Sequence, residues 1–319
     1  MKFNLPARPP FNFHSVIQSH GWVQLAPFRY DEAASTLSYV DRLSSGRVVE
    51  YHISGSGDGI YVETEKLNAA ERKEAAQKAA WMFALEADFS AFQAAARWEK
   101  KLARVKKQAL GRVLRSPTLF EDVIKTILTT NTLWSATKRM TLNLIEQFGE
   151  PLTTGGFDTA PAVGAGVRPR RARGYSTAET AEIKRAFPTP EAIAASTPAK
   201  LREKIRVGYR APAIHDLAKR VASGKFDLEA LKASSLPTLE LRKELLKMQG
   251  VGPYAAANLL LILGRSDFIP VDSWALKLVS HEWYGGKPVT ASDVEKRFEK
   301  WGEFKGFAFW FWDWKYQGS

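Results

Sequence analysis

The chain has 319 residues, of which 45% are hydrophobic, and its basic residues exceed its acidic ones by enough to give a formal net charge of +12. This length supports two or three packed units, and the basic charge suits a partner that carries phosphates. The sequence has no cysteine, which excludes disulfide bonds and cysteine-ligated zinc or iron–sulfur clusters.

The start of the chain and its apolar runs bear on where the protein works. The first residues lack the apolar core of a signal peptide. No apolar run approaches the ~20 residues that a membrane span needs. We therefore expect a soluble, intracellular and monomeric protein, in the cytoplasm, nucleoid or nucleus.

Residues 1–97 are predicted to form a small antiparallel-sheet domain. Apolar side chains alternate along 48–53 with the period of a half-buried strand. A glycine-rich turn leads from there to a second strand at 60–64, which makes a hairpin. We also predict a strand at 22–26 and an alanine-rich helix at 69–86.

A basic run follows between residues 98 and 115, where the only acid is Glu99. A solvated helix face and a phosphate contact explain this run equally well. Its seven basic residues are Lys100, Lys101, Arg104, Lys106, Lys107, Arg112 and Arg115.

A buried helix is predicted next, because apolar residues repeat at helical spacing over 119–128. Ser116 would cap this helix and Pro117 would occupy its first position. The helix ends in the polar stretch 129–132, and a second helix stops at Gly149.

Residues 153–180 have no apolar period and are expected to form a flexible basic insertion. Its arginines are Arg168, Arg170, Arg171 and Arg173.

Helical patterns resume at residue 189 and culminate in a hairpin. Leu241, Leu245 and Met248 lie on one helix face, the glycines of 250–252 break that helix, and Pro253 suits the start of the next. A turn between two helices leaves bare amides at the second amino terminus, where phosphate binds well.

The hairpin with a downstream Pro270-Val271-Asp272 resembles the signature of the helix-hairpin-helix (HhH-GPD) DNA glycosylases. The resemblance covers most of 100–314, with a weaker match of the amino-terminal region to DNA-3-methyladenine glycosylase II. It implies an α+β fold, in which a mostly helical glycosylase core at 98–319 is preceded by the sheet domain. It also implies base excision from double-stranded DNA that contains a damaged base.

The resemblance also implies roles for particular residues. Asp272 would be the catalytic carboxylate, although an Asp before a helix is also a plausible amino-terminal cap. Asn131 and Thr132 fall where related enzymes fill the gap that the flipped base leaves, and a C-capping asparagine is the alternative. The residues implied to contact DNA through the hairpin are Gly250, Val251, Gly252, Tyr254 and Ala255.

No cofactor is required on this interpretation, although the family holds a monovalent cation at the hairpin. The matching backbone carbonyls belong to Leu246, Met248 and Val251, so a structural Na⁺ or K⁺ is expected there. The histidines are scattered without metal-ligand spacing.

Tyr254 stands where bifunctional members carry the lysine that forms a Schiff base. We therefore expect a monofunctional hydrolase. An aromatic residue there is typical of the alkylation-repair branch, and Trp274 and Trp134 are further candidates for the base pocket. The aromatic-rich segment 301–314 is expected to form core, with one or two rings lining that pocket. Tyr209 is assigned to packing.

Three functions remain open from the sequence. The first is excision of an alkylated base, which cationic aromatic stacking favours. The second is excision of an oxidised, mispaired or otherwise modified base. The third is a non-catalytic DNA-binding module, which would have no need of Asp272.

Overall fold

A five-stranded antiparallel sheet forms the amino-terminal part of the protein in the computed structural model, which describes residues 1–153 and 184–316. The strands lie in the order β1-β5-β4-β3-β2. The predicted hairpin is confirmed, because Ile53 pairs with Val62 and Gly55 with Ile60. The strands are β1 (Lys2–Pro6), β2 (Arg29–Asp31), β3 (Thr36–Arg42), β4 (Val48–Gly55) and β5 (Gly59–Glu63).

The remainder of the described chain is mostly helical, so the predicted α+β class is confirmed. None of these helices is both long and apolar enough to cross a bilayer. The α-helices up to residue 153 are α1 (Phe13–Ile17), α2 (Ala69–Met82), α3 (Ser90–Ala96), α4 (Arg104–Lys107), α5 (Leu119–Thr129) and α6 (Trp134–Phe148). Those from residue 184 onward are α7 (Pro190–Ala194), α8 (Pro198–Lys200), α9 (Ala211–Ala222), α10 (Thr238–Leu246), α11 (Pro253–Ile262), α12 (Ser273–Trp283), α13 (Ala291–Phe298) and α14 (Lys305–Trp310).

The predicted strand at 22–26 is wrong. Gly21–Gln24 forms a short 3₁₀ turn, which the Leu25 amide closes by donating to the Trp22 carbonyl over 2.8 Å. The buried Trp22 ring donates through Nε1 to Asp122 of α5. That long-range hydrogen bond holds the segment against the helix instead of in the sheet.

The predicted start of α5 is also shifted. Its cap is Thr118, whose side chain accepts from the Glu121 amide, and not Ser116. The amide of the fully buried Ser116 donates to Asp122 Oδ1 over 3.0 Å. Because that carboxylate fixes Ser116 in the core, the helix begins two residues later than the sequence pattern indicates.

The sheet packs on α5 through a buried polar group as well as through apolar contacts. Tyr39 of β3 donates to Glu121 Oε2 over 2.5 Å, and Glu121 Oε1 lies 2.6 Å from Lys125 Nζ. The apolar cluster around them includes Ile53 of the sheet and Ile124 of α5. Sheet and helices therefore share one core, and the predicted division at residues 97 and 98 stays a prediction.

Part of the basic run serves the fold. Arg112 and Arg115 are buried, and Arg112 donates to carbonyls that include those of Pro10 and Ala84. Arg115 lies over the Trp81 ring at 4.2 Å. For these two arginines, neither a solvated face nor a phosphate contact is correct. The predicted insertion at about 153–180 lies, except for its first residue, outside the described residues.

Candidate functional site

The turn between α10 and α11 is shaped by two glycines that serve different purposes. Gly250 has a φ of +85°, in the left-handed region, and a Cβ there would meet the Ala213 Cβ of α9 at 3.0 Å. Gly252 has an ordinary φ of −89°, caps α11 and has nothing within 4 Å of its Cβ position. Gly250 is therefore needed to make the turn, whereas Gly252 leaves open space in front of the helix.

The amino terminus of α11 exposes backbone donors. The first amides of a helix have no intrahelical partner, and here they belong to the segment predicted to contact DNA. Val251 differs from its neighbours, because its side chain is buried and its amide donates to the Met248 carbonyl over 3.1 Å. The donors that remain are the amides of Gly250, Gly252, Tyr254 and Ala255.

Asp272 caps α12. Its Oδ1 accepts from the Ala275 amide over 2.8 Å, and its side chain is partly exposed. No described residue hydrogen-bonds to Oδ2. The carboxylate is thus held in one orientation by its cap and keeps one oxygen for another partner.

Tyr254 links Asp272 to the end of α5. Burial raises the pKa of Tyr254, the negative charge of Asp272 raises it further, and side-chain hydrogen bonds with Thr129 and Asn258 oppose the shift. These interactions place three elements together: the last turn of α5, the first turn of α11 and the cap of α12. Asp272 is therefore close enough to Tyr254 to act on it through its charge, although the two residues are 18 positions apart in the sequence.

An exposed polar pair lies beyond the end of α5. Asn131 has a φ of +45°, and its Nδ2 donates to the Tyr209 hydroxyl over 3.3 Å. The Tyr209 ring is 63% exposed, so its assignment to packing is wrong. Arg210 is buried and donates to the carbonyls of Thr130 and Asn131, which fixes the turn that carries the pair.

The pKa of Tyr209 is lowered, first by a side-chain hydrogen bond with Thr130 and then by Asn131 and the charge of Arg210. Thr132 is half-buried at the same turn, and the Leu133 side chain next to it is 77% exposed. The turn therefore presents polar and apolar groups to solvent side by side.

The two tryptophans predicted for a base pocket lie in different places. Trp274 is 43% exposed and packs on Tyr316, with the ring centroids 5.4 Å apart. Trp134 donates to Gln24 Oε1 over 2.9 Å and lies so close to Gly21 that a Cβ there would meet its ring at 2.4 Å.

A small cavity of about 20 Å³ adjoins α11, room for about one water molecule. It contains neither Trp134 nor Trp274, and the only C-terminal aromatic in it is Trp310. The sequence interpretation did not identify most of its lining residues. The sequence feature that could have pointed to them is His20-Gly21-Trp22, where a glycine lies between two residues with aromatic rings. The lining residues are His20, Trp22, Val113, Asn258, Leu261, Ile262 and Trp310.

The end of α10 offers oxygen ligands for a hard cation. The Leu246 carbonyl receives no backbone amide from the described chain, and the Met248 carbonyl accepts only that of Val251. Carbonyl oxygens suit a monovalent cation, so the donor set fits the predicted Na⁺ or K⁺. Within residues 1–153 and 184–316, no group of three or more His, Cys, Asp or Glu side chains could hold a metal ion.

Comparison with known proteins identifies the architecture. Residues 124–304 match the sequence model described as HhH-GPD superfamily base excision DNA repair protein. A 3-methyladenine DNA-glycosylase from Archaeoglobus fulgidus has a similar structure, with a TM-score of 0.70 and 19% identity over 98% of this chain and 97% of that one. An 8-oxoguanine glycosylase/lyase from Clostridium acetobutylicum is also similar, with a TM-score of 0.67 and 21% identity over the same shares. A comparison with curated proteins finds no match.

Proposed function

The chain belongs to the HhH-GPD superfamily of base excision DNA repair proteins, and we propose that it is a monofunctional DNA glycosylase that removes a damaged, alkylated base and leaves an abasic site. The observation that carries this proposal is the capped Asp272 carboxylate with its Oδ2 unpaired among the described residues, close enough to Tyr254 in the first turn of α11 to act on it through its charge.

Breaking the bond between a base and its deoxyribose builds positive charge on the sugar. A carboxylate near C1′ stabilises that charge and orients or deprotonates water. Asp272 is the proposed group, because its cap fixes Oδ1 and leaves Oδ2 available. The cap and the catalytic role are compatible, since they use different oxygens.

The absence of lyase activity rests on Tyr254. Schiff-base chemistry needs a neutral amine, and a phenol at this position cannot supply one. Lys247 lies on the other side of the turn and pairs with Glu244 over 2.7 Å.

The alkylated base is the narrower part of the proposal. Cationic bases are good leaving groups and stack well on electron-rich rings. Two indoles, those of Trp22 and Trp310, line the cavity beside α11. Trp134 and Trp274 do not line it and remain proposals for the base pocket. The similarity to an 8-oxoguanine glycosylase/lyase makes an oxidised base the second candidate.

Double-stranded DNA would be held at two places. The free amides of Gly250, Gly252, Tyr254 and Ala255 would bind a phosphate. A Na⁺ or K⁺ on the carbonyls of the α10–α11 turn would add positive charge beside it. Asn131, with Thr132 and the exposed Tyr209, would fill the space that the flipped base leaves.

Base release from a panel of duplexes tests the function. Each duplex holds one lesion: 3-methyladenine, 1,N6-ethenoadenine, hypoxanthine, uracil or 8-oxoguanine. We expect strand cleavage only after alkali, with 3-methyladenine as the best-released lesion. Cleavage without alkali would reveal a lyase amine. Tight binding with no release from any duplex would favour the non-catalytic module.

A further inference from the structure

We propose that His20 is a hydrogen-bond acceptor within the base pocket, so that the protein selects bases that present an N–H donor on the edge entering the cavity beside α11. This inference rests on the proposed function and adds the substrate class. His20 is far from the hairpin in the sequence, and it is not among the catalytic, DNA-contacting or base-pocket residues that the sequence analysis identifies.

The hydrogen bonding of His20 fixes which nitrogen carries the proton. Its Nε2 lies 2.5 Å from the Leu114 carbonyl, and a carbonyl can only accept, so Nε2 carries the hydrogen. Burial lowers the pKa of His20 to about 4; the hydrogen bond to the Leu114 carbonyl opposes this shift, and the charge of Lys125 adds a smaller lowering. The neutral ring therefore has an unprotonated Nδ1, and no described residue donates to that lone pair.

The other polar groups of the cavity have little to donate. Trp22 Nε1 donates to Asp122 Oδ1 over 2.7 Å, and Trp310 Nε1 donates to the Ser19 carbonyl over 2.8 Å. The amide nitrogen of Asn258 donates to the Tyr254 carbonyl over 3.1 Å. Both indoles can thus offer only their faces, and the fixed lone pair of His20 is an acceptor for an entering base.

A cavity that is lined by apolar faces and by His20, with its unpaired acceptor, discriminates among bases by their hydrogen-bond donors. The amino group of an adenine-type base, or the ring N–H of hypoxanthine or 8-oxoguanine, would satisfy His20. A base without any N–H, such as 1,N6-ethenoadenine, would place one lone pair against another or leave the acceptor unpaired. Leaving a buried acceptor unpaired is more costly than losing a solvated hydrogen bond.

Entry of a base requires that the cavity enlarge. Its present volume is about 20 Å³, but Trp310 also lines a neighbouring groove of about 560 Å³. A shift of this indole that keeps its hydrogen bond to the Ser19 carbonyl would join the two spaces. His20 Nδ1 would then face a base from a ring whose orientation the Leu114 carbonyl sets.

Two substitutions separate the acceptor from the structural hydrogen bond. His20→Gln places an amide donor near the Nε2 position, so it keeps the Leu114 bond and loses the acceptor at Nδ1. His20→Asn places an amide oxygen near Nδ1, so it keeps the acceptor and loses the Leu114 bond. Urea unfolding of both variants measures the structural cost separately.

The readout is the single-turnover rate of base release under saturating enzyme. For a released lesion that carries an N–H donor, we expect His20→Gln to slow release about tenfold or more and His20→Asn to retain more activity. The wild type should also release 1,N6-ethenoadenine at least about tenfold more slowly than that lesion.

Faster base release by His20→Gln than by His20→Asn would overturn the role of His20. So would a wild type that releases 1,N6-ethenoadenine as fast as the lesion with an N–H donor. Either result would leave the glycosylase assignment intact. A wild type that releases no base from any duplex would instead overturn the proposed function.

Discussion

Two regions along α11 meet opposite chemical requirements: the amino terminus of the helix, here called the outer side, and the cavity lined by Asn258, Leu261 and Ile262, here called the inner side. On the outer side, the α10–α11 turn leaves backbone amides free at a helix end. On the inner side, the cavity has its indole and imidazole N–H groups already donated to protein acceptors. A surface that holds phosphate needs unpaired donors, whereas a cavity that selects a base must first satisfy its own.

The two sides also differ in how the chain builds them. The outer side comes from one short segment between Leu246 and Tyr254, and glycine conformation shapes it. The inner side depends on contacts between distant segments, such as Trp22 with Asp122 and Trp310 with Ser19. Changes on the outer side should therefore alter chemistry and DNA affinity, and changes on the inner side should alter stability and selectivity.

The largest effect is expected for Asp272→Asn. The amide oxygen can still accept from the Ala275 amide, so α12 should keep its cap, but the negative charge is lost. We expect base release to fall about a thousandfold or more in single-turnover assays. Duplex affinity by fluorescence anisotropy should stay within about twofold of the wild type. Normal excision by this variant would show that another group stabilises the sugar cation.

Asp122→Asn tests the inner side through its pH dependence. Burial raises the pKa of Asp122 to about 7, although hydrogen bonds from Ser116 and Trp22 oppose the shift. Between about pH 4 and pH 7 the folded state therefore binds a proton that the unfolded state has lost, and its stability falls as the pH rises. Asparagine keeps an acceptor for Trp22 but does not titrate.

Urea unfolding of both proteins across that window measures the difference. The wild type should lose stability relative to Asp122→Asn as the pH rises, by at most about 4 kcal/mol. A constant difference between the two proteins would mean that Asp122 does not change its charge in this range.

The contrast explains which parts could be predicted from sequence. Helices such as α5 and the β4–β5 hairpin follow from apolar periodicity and turn residues, because these are local signals. Asp272, the proposed catalytic group, and the hairpin also form a short motif, so the resemblance reached them. No local pattern places His20 beside Asn258, because that neighbourhood depends on how the 3₁₀ turn packs on α5 and α11.

Local signals also misled where a distant side chain intervened. The strand expected at 22–26 is held as a turn by Asp122, and the same carboxylate moves the start of α5 from Ser116 to Thr118. Tyr209 is assigned to packing from the sequence because the turn Gly208-Tyr209-Arg210-Ala211 resembles one in this superfamily that packs near the hairpin. Its exposure depends on Arg210, which donates to the end of α5.

On the outer side, Gly252→Asp places a negative charge in the open space before α11. We expect duplex affinity to fall about tenfold, through repulsion of the phosphate and a blocked approach to the amides. Gly252→Asn is the matched control for size without charge and should lose less. If the aspartate variant binds DNA as the wild type does, the turn is not part of the DNA interface.

The smallest effect is expected for alanine at the two glycines of the turn. Gly250→Ala puts a side chain at a φ of +85° and against Ala213 at 3.0 Å, so the free energy of unfolding should fall by about 1–2 kcal/mol. Gly252→Ala has an ordinary φ and open space, so its free energy of unfolding should stay within about 0.5 kcal/mol of the wild type. Urea unfolding of the pair measures both. Equal losses would mean that both positions of the turn reject a side chain. The distinction between Gly250, which makes the turn, and Gly252, which leaves open space before α11, would then be wrong.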